Sequence, residues 1–238
     1  RGPWAGISRT NWILTNIDKS PKISDAKKTQ YKGEAHFLRG LYYFNLVRLF
    51  GDVPWIDKQQ TASDDLQVSR TSKDIVYQHI IDDFSDAASM LPAVYENTTD
   101  IGRATKGAAF GLLAKVYLTL KRYNETLVAI DSVMNLGVYS LNRKYEWNFS
   151  DLRENGPESL FEVQYEKDVT AYSEFDILGQ GGWHHEYMAP LASINIGGPW
   201  GNFGWFAVYP EFVESYEPGD LRKSVSVWCE GDVYQGWS

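Results

Sequence analysis

The sequence predicts a mainly all-α protein: a scaffold of helical hairpins over residues 1–143, then an irregular, loop-rich and aromatic-rich carboxyl-terminal subdomain over residues 144–238. Three observations predict it. Apolar residues recur at helical spacing in successive segments up to Met134. Gly or Pro stands just past the end of several of these segments. After Leu141 the helical period gives way to Gly, Trp, His and Asn. Composition narrows the function classes further. With 31 acidic and 23 basic side chains, the net charge of −8 argues against a nucleic-acid partner. Nine Trp, fifteen Tyr and eleven Phe form 15% of the chain. A core of this size needs fewer, so some rings are expected on a surface.

Taken in order, the first helical segment is the weakest. Trp4, Ile7, Trp12, Ile13 and Ile17 suggest an antiparallel partner for the segment that follows. In residues 31–50 two apolar stripes adjoin, one of Tyr31, Ala35, Leu38, Tyr42 and Leu49, the other of Phe37, Leu41 and Phe44. A helix apolar over so wide an arc needs covering on more than one side, and Gly51 and Pro54 stop it. Thr71 to Asp74 reads as a capping box ahead of Tyr77, Ile80, Ile81, Phe84 and Leu91, with Pro92 as the stop. Residues 93–102 read as a polar connection. Residues 105–121 carry Ala109, Leu112, Leu113, Val116 and Leu120, while Ala108, Gly111 and Ala114 permit close backbone approach. Asn124 is expected to cap the next helix, which carries Leu127, Ile130, Val133 and Met134 and stops at Gly137.

The short link at residues 121–123 makes these last two helices an antiparallel pair. Leu113-Ala114-Lys115-Val116-Tyr117 follows the tetratricopeptide pattern of a small residue after Leu and an aromatic three further on. Tyr123 and Val133 fall on further positions of that pattern, and Thr126 occupies one that usually holds Ala. Beyond them, residues 160–165 alternate with period two, and Glu211 to Tyr216 offer one more short helix.

The run Glu34-Ala35-His36-Phe37-Leu38-Arg39-Gly40-Leu41-Tyr42-Tyr43-Phe44-Asn45-Leu46-Val47-Arg48-Leu49-Phe50-Gly51-Asp52-Val53-Pro54 resembles the SusD/RagB family of Bacteroidota surface lipoproteins. Agreement continues through Ile80-Ile81-Asp82-Asp83-Phe84, Gly102-Arg103-Ala104-Thr105, Glu158-Ser159-Leu160-Phe161-Glu162-Val163-Gln164 and Asp220-Leu221-Arg222. The resemblance implies a tetratricopeptide-like scaffold, lipid-anchored at the outer membrane on the cell surface. It implies that the protein binds glycans and lids a TonB-dependent transporter of the SusC type, without catalysing a reaction. Gly40 and Thr126 depart from the pattern, where Ala is usual. The chain is shorter than typical members at both ends and lacks the lipid-bearing Cys, and its amino terminus reads as processed or truncated.

For a sugar-binding protein the expected contacts are flat rings, on which the C–H faces of a pyranose pack, with amides or imidazoles to pair with hydroxyls. The rings Trp183, Tyr187, Trp200 and Trp205 fit that role, with His184, Asn195 and Asn202 as polar partners. This choice rests on composition and position, and the competing use of such rings is to pack a loop-rich subdomain. His184-His185-Glu186 lacks a metal-ligand spacing. Glu174, Asp176 and Glu186 carry the alternative of a glycosidase carboxylate pair, and the hairpin of residues 105–134 that of a peptide-binding adaptor. Gly197-Gly198-Pro199-Trp200-Gly201 has no phosphate-binding frame around it. No cofactor is expected, and no acidic loop points to structural calcium. Arg48 and Asp52 are assigned to the helix terminus. The lone Cys229 offers neither an internal disulfide nor a metal cluster. The uncharged run 187–210 holds three prolines, so it is no continuous membrane span.

Overall fold

The computed structural model describes residues 2–61, 63–64, 67–164, 208–227 and 229. Contacts divide the chain into two compact units, Arg1–Leu141 with Glu154–Val163, and Asn142–Arg153 with Gln164–Ser238. Among its described residues the first unit has five α-helices: α1 (Gly2–Asn16), α2 (Asp25–Phe50), α3 (Lys73–Met90), α4 (Lys106–Thr119) and α5 (Tyr123–Met134). Each packs on the next in chain order. The β pairing among the described residues is an isolated bridge between Val53 and Thr71, and residues 161–164, despite their alternation, join no ladder.

Helix α2 is the axis of this unit. It starts six residues before the apolar pattern does, because Ser24 caps it: the Ser24 hydroxyl accepts the Lys27 N–H at 3.4 Å. Its wide apolar arc is covered by α1 on one side and α3 on the other. Phe37, Tyr43 and Phe44 are completely buried, each worth about 1.5–3 kcal/mol of transfer free energy. Leu49 departs from the stripe assigned to it and is largely solvent-exposed. Gly51 ends the helix at φ +68°, its N–H bonded to the Val47 carbonyl. Close packing explains Gly40. A Cβ there would lie 3.1–3.3 Å from the Phe84 ring, so α3 seats an aromatic directly on the α2 backbone.

Two caps differ from expectation. Ser72 precedes α3 without a side-chain cap, and Thr71 is taken up by the bridge to Val53. The Asp52 carboxylate caps α3 instead, accepting the Lys73 N–H at 2.7 Å, so Asp52 is structural as assigned. Helix α5 starts at Tyr123, one residue before Asn124, and Arg122 precedes it without a side-chain cap. At α4 the Thr105 hydroxyl caps the helix, accepting the Ala108 N–H at 3.1 Å. Thr126 is buried and donates to the Arg122 carbonyl at 2.9 Å, so a hydroxyl replaces Ala without leaving an unsatisfied group.

A polar network crosses the core between α1, α2 and α3. The Arg39 guanidinium grips Asp83 through Nε at 2.9 Å and Nη2 at 2.7 Å, and Nη1 donates to Asn11 Oδ1 and to the Asp57 carbonyl, both at 3.0 Å. Asn11 in turn donates to the Ile56 carbonyl at 2.7 Å. The Tyr43 hydroxyl accepts the Ile56 N–H at 2.7 Å. Burial pushes the Tyr43 pKa up to about 12. Trp55 is packed between Tyr43 and His79, with ring centroids at 4.2 and 4.4 Å. The loop after α2 is thereby fastened to the helices on both its sides.

In the second unit the described segments are short. The Tyr145–Phe149 and Asp151–Arg153 turns are linked by Arg153 lying 4.3 Å over the Trp147 ring. The short helix expected near residues 211–216 spans Pro210–Glu214, and another covers Lys223–Ser226. No helix of the described residues is long and apolar enough to cross a membrane.

Candidate functional site

Trp183, His184, Tyr187, Asn195, Trp200, Asn202 and Trp205 lie outside the described residues, as do His185 and the carboxylates Glu174, Asp176 and Glu186. Two other places in the first unit carry chemistry. One is the Arg39 network. His36 Nδ1 sits 2.7 Å from Asp83 Oδ1 and 4.0 Å from an Asp86 oxygen, a grouping that resembles acid–base machinery. Both Asp83 oxygens are taken by Arg39, and Asp83 and Arg39 are 3% and 9% exposed. A charge pair so enclosed has no room for a substrate and serves the core.

The other is a recess with a volume of about 250 Å³, formed by the connection after α3, by Val138 and Tyr139 after α5, and by residues 155–162. The polar connection predicted at 93–102 is thus one of its walls. Arg103 stands at its edge. Its Nη1 pairs with Glu34 Oε2 at 2.7 Å and its Nε with Asp100 Oδ1 at 2.8 Å. Burial works against the Arg103 charge, but these two carboxylates outweigh it and hold its pKa above the ordinary value. Glu34 also accepts from Gln30 at 2.8 Å, and the Tyr95 hydroxyl donates to the Ala104 carbonyl at 2.8 Å. Burial, with the Glu34 charge adding to it, raises the Tyr95 pKa.

The remaining walls are held by the backbone. The Ser140 N–H bonds the Pro157 carbonyl at 3.0 Å, and the Lys106 N–H bonds the Pro92 carbonyl at 2.8 Å. Asn155, at φ +53°, donates its N–H to Glu162 Oε2 at 3.0 Å. Two glycines of α4 admit the lining: a Cβ at Gly107 would lie 2.3 Å from the Tyr139 ring, and one at Gly111 2.6 Å from Leu160. Phe161 runs inward to meet Phe37 at 4.9 Å between centroids, which makes the floor continuous with the core. Val94 and Ile101 remain more than half exposed at the mouth. Sequence reasoning passed over this recess. Its signals were the Gly102-Arg103-Ala104-Thr105 and Glu158 to Gln164 runs, which carry no chemical motif on their face. Among the described residues no group of three or more His, Cys, Asp or Glu is placed to hold a metal ion.

A family model described as starch-binding and associating with the outer membrane matches residues 1–118. The chain belongs to the SusD-like family. A SusD-like protein of Bacteroides ovatus is 26% identical over 250 residues, covering 98% of this chain and 44% of that relative. A SusD superfamily protein from Parabacteroides distasonis has a similar structure, with a TM-score of 0.79 and 30% identity over 93% of this chain and 46% of that one. The surface glycan-binding protein A of Bacteroides fluxus gives a TM-score of 0.76 and 27% identity over 94% and 48%. The SusD-like chain therefore spans less than half the length of these relatives. Its helical architecture is that of the family's solved structures.

Proposed function

We propose that this SusD-like chain is the glycan-capturing part of a cell-surface protein, lipid-anchored at the outer membrane. It takes up oligosaccharide or polysaccharide and delivers it to a partner TonB-dependent, SusC-like transporter. It holds the sugar and breaks no bond. The observation that carries this reading is the family match along α1 to α4, joined by the structural likeness to a protein named for surface glycan binding. The aromatic excess supports it, since flat rings are the side chains best suited to grip a pyranose face. Trp183, Tyr187, Trp200 and Trp205, with His184, Asn195 and Asn202, are proposed as the contact set.

Affinity electrophoresis through gels cast with a panel of polysaccharides tests the proposal. At least one glycan should retard the protein, and Trp183→Ala or Trp200→Ala should abolish the retardation. No retardation by any glycan overturns the function, whereas retardation unchanged in both variants overturns the contact set. Co-purification with a large β-barrel from native outer membranes tests the delivery step.

A further inference from the structure

We propose that the recess walled by Tyr95, Arg103, Tyr139, Asn155 and Phe161 is a second binding site, which takes a single neutral sugar residue. Its place rests on its own geometry; its ligand class rests on the glycan reading above. Size comes first. At about 250 Å³ the recess falls just below the ~300–1,000 Å³ typical for drug-sized ligands, so it suits one ring rather than a chain.

Charge then selects the ligand. The Arg103 guanidinium is already neutralised by Glu34 and Asp100, and Glu162 adds a further negative charge on the lining. An anion would meet net repulsion. The two contacts of Arg103 engage only part of its five-donor fork, and a carboxylate oxygen can accept more than one bond. A hydroxyl, which donates and accepts at once, satisfies both groups without requiring either ion to give up its partner. Against this polar edge stand Val94, Ile101 and Leu160, an apolar surface for the C–H face of a ring.

The walls are also preformed. The Ser140–Pro157 and Lys106–Pro92 backbone bonds and the Asn155–Glu162 brace hold three separate stretches of chain before any ligand arrives. Little ordering would accompany binding, as weak recognition of a small polyol requires.

The test uses the full 238-residue chain with methyl β-D-glucopyranoside, methyl α-D-glucopyranoside and methyl β-D-galactopyranoside, followed by amide chemical shifts in NMR titration. The expected result is saturable shifts at Val94, Ile101, Arg103 and Asn155 with at least one sugar. Val94→Trp, which fills the mouth from an exposed position, should weaken that binding tenfold or more. Shifts that leave these four amides unmoved overturn the proposal, and so does unchanged affinity in a folded Val94→Trp protein. Should that variant not fold, the wild-type shift map alone decides. Polysaccharide retardation without any response at the recess overturns this inference only; loss of retardation as well overturns the proposed function.

Discussion

The α2–α3 pair and the α4–α5 pair are both neighbouring helices in contact, yet they are held by different chemistry. Between α2 and α3 lie large rings and an enclosed charge network: Phe37, Phe84, Arg39 and Asp83 are all buried. On α4 and α5 the buried residues are mostly small or aliphatic, among them Ala109, Ala114, Val116, Ala129 and Val133. The second pair is also one-sided. On α5, Tyr123, Leu127, Ile130 and Met134 recur at helical spacing and are exposed, while Thr126, Ala129 and Val133 are buried. The first pair is therefore specified by directional groups that admit one arrangement. The second is specified by the close approach of backbones, which tolerates more change.

Four substitutions or conditions can break or sharpen this contrast. Asp83→Ala strands the Arg39 charge in the core and should cost about 3–5 kcal/mol in urea unfolding; a loss below 1 kcal/mol would show that the network is slack. Alkaline pH should come next. The folded pKa of Tyr43 is raised, so its contribution is complete below the unfolded value near 10 and is lost as pH climbs towards about 12. The loss amounts to roughly 3 kcal/mol, and a Tyr43→Phe protein should show a shallower decline over that window. Thr105→Ala removes the α4 cap and should cost about 1 kcal/mol, visible as a modest fall in Tm. The smallest effect belongs to Leu127→Lys on the outer face of α5, where a change within about 0.5 kcal/mol is expected. A large loss there would mean that the face is covered.

Much of the scaffold was legible because burial imposes a period. The arc of Phe37, Leu41 and Phe44 required neighbours on two sides, and α1 and α3 supply them. Local rules failed where a distant group took over a local task. The α3 cap comes from Asp52, twenty-one residues away along the chain, which no capping-box pattern can reveal. Leu49 looked buried by spacing alone, but the last residues of α2, Leu49 and Phe50, are exposed. The candidate recess was illegible for the same reason. Arg103 and Glu34, far apart in sequence, are joined by a direct ion pair, and Asn155 comes to the recess with the stretch that places Leu160 on Gly111 of α4. The proposed ring contacts of residues 183–205 rest on composition, which reports an excess of aromatics without saying which of them share a face.

The tie between Asp52 and the start of α3 has a consequence for how this family can diversify. The Val53–Thr71 bridge and the Asp52–Lys73 bond close the excursion after α2 at its neck, like a drawstring. Beyond that neck Trp55, Ile56, Asp57 and Gln59 are still held by α1, α2 and α3, so freedom to vary starts past Gln59, where doubling the length of the excursion adds only about 0.6 kcal/mol of closure entropy. Evolution, or an engineer placing an epitope near Thr61, has there a stretch of surface to rewrite while the helices beneath keep their register.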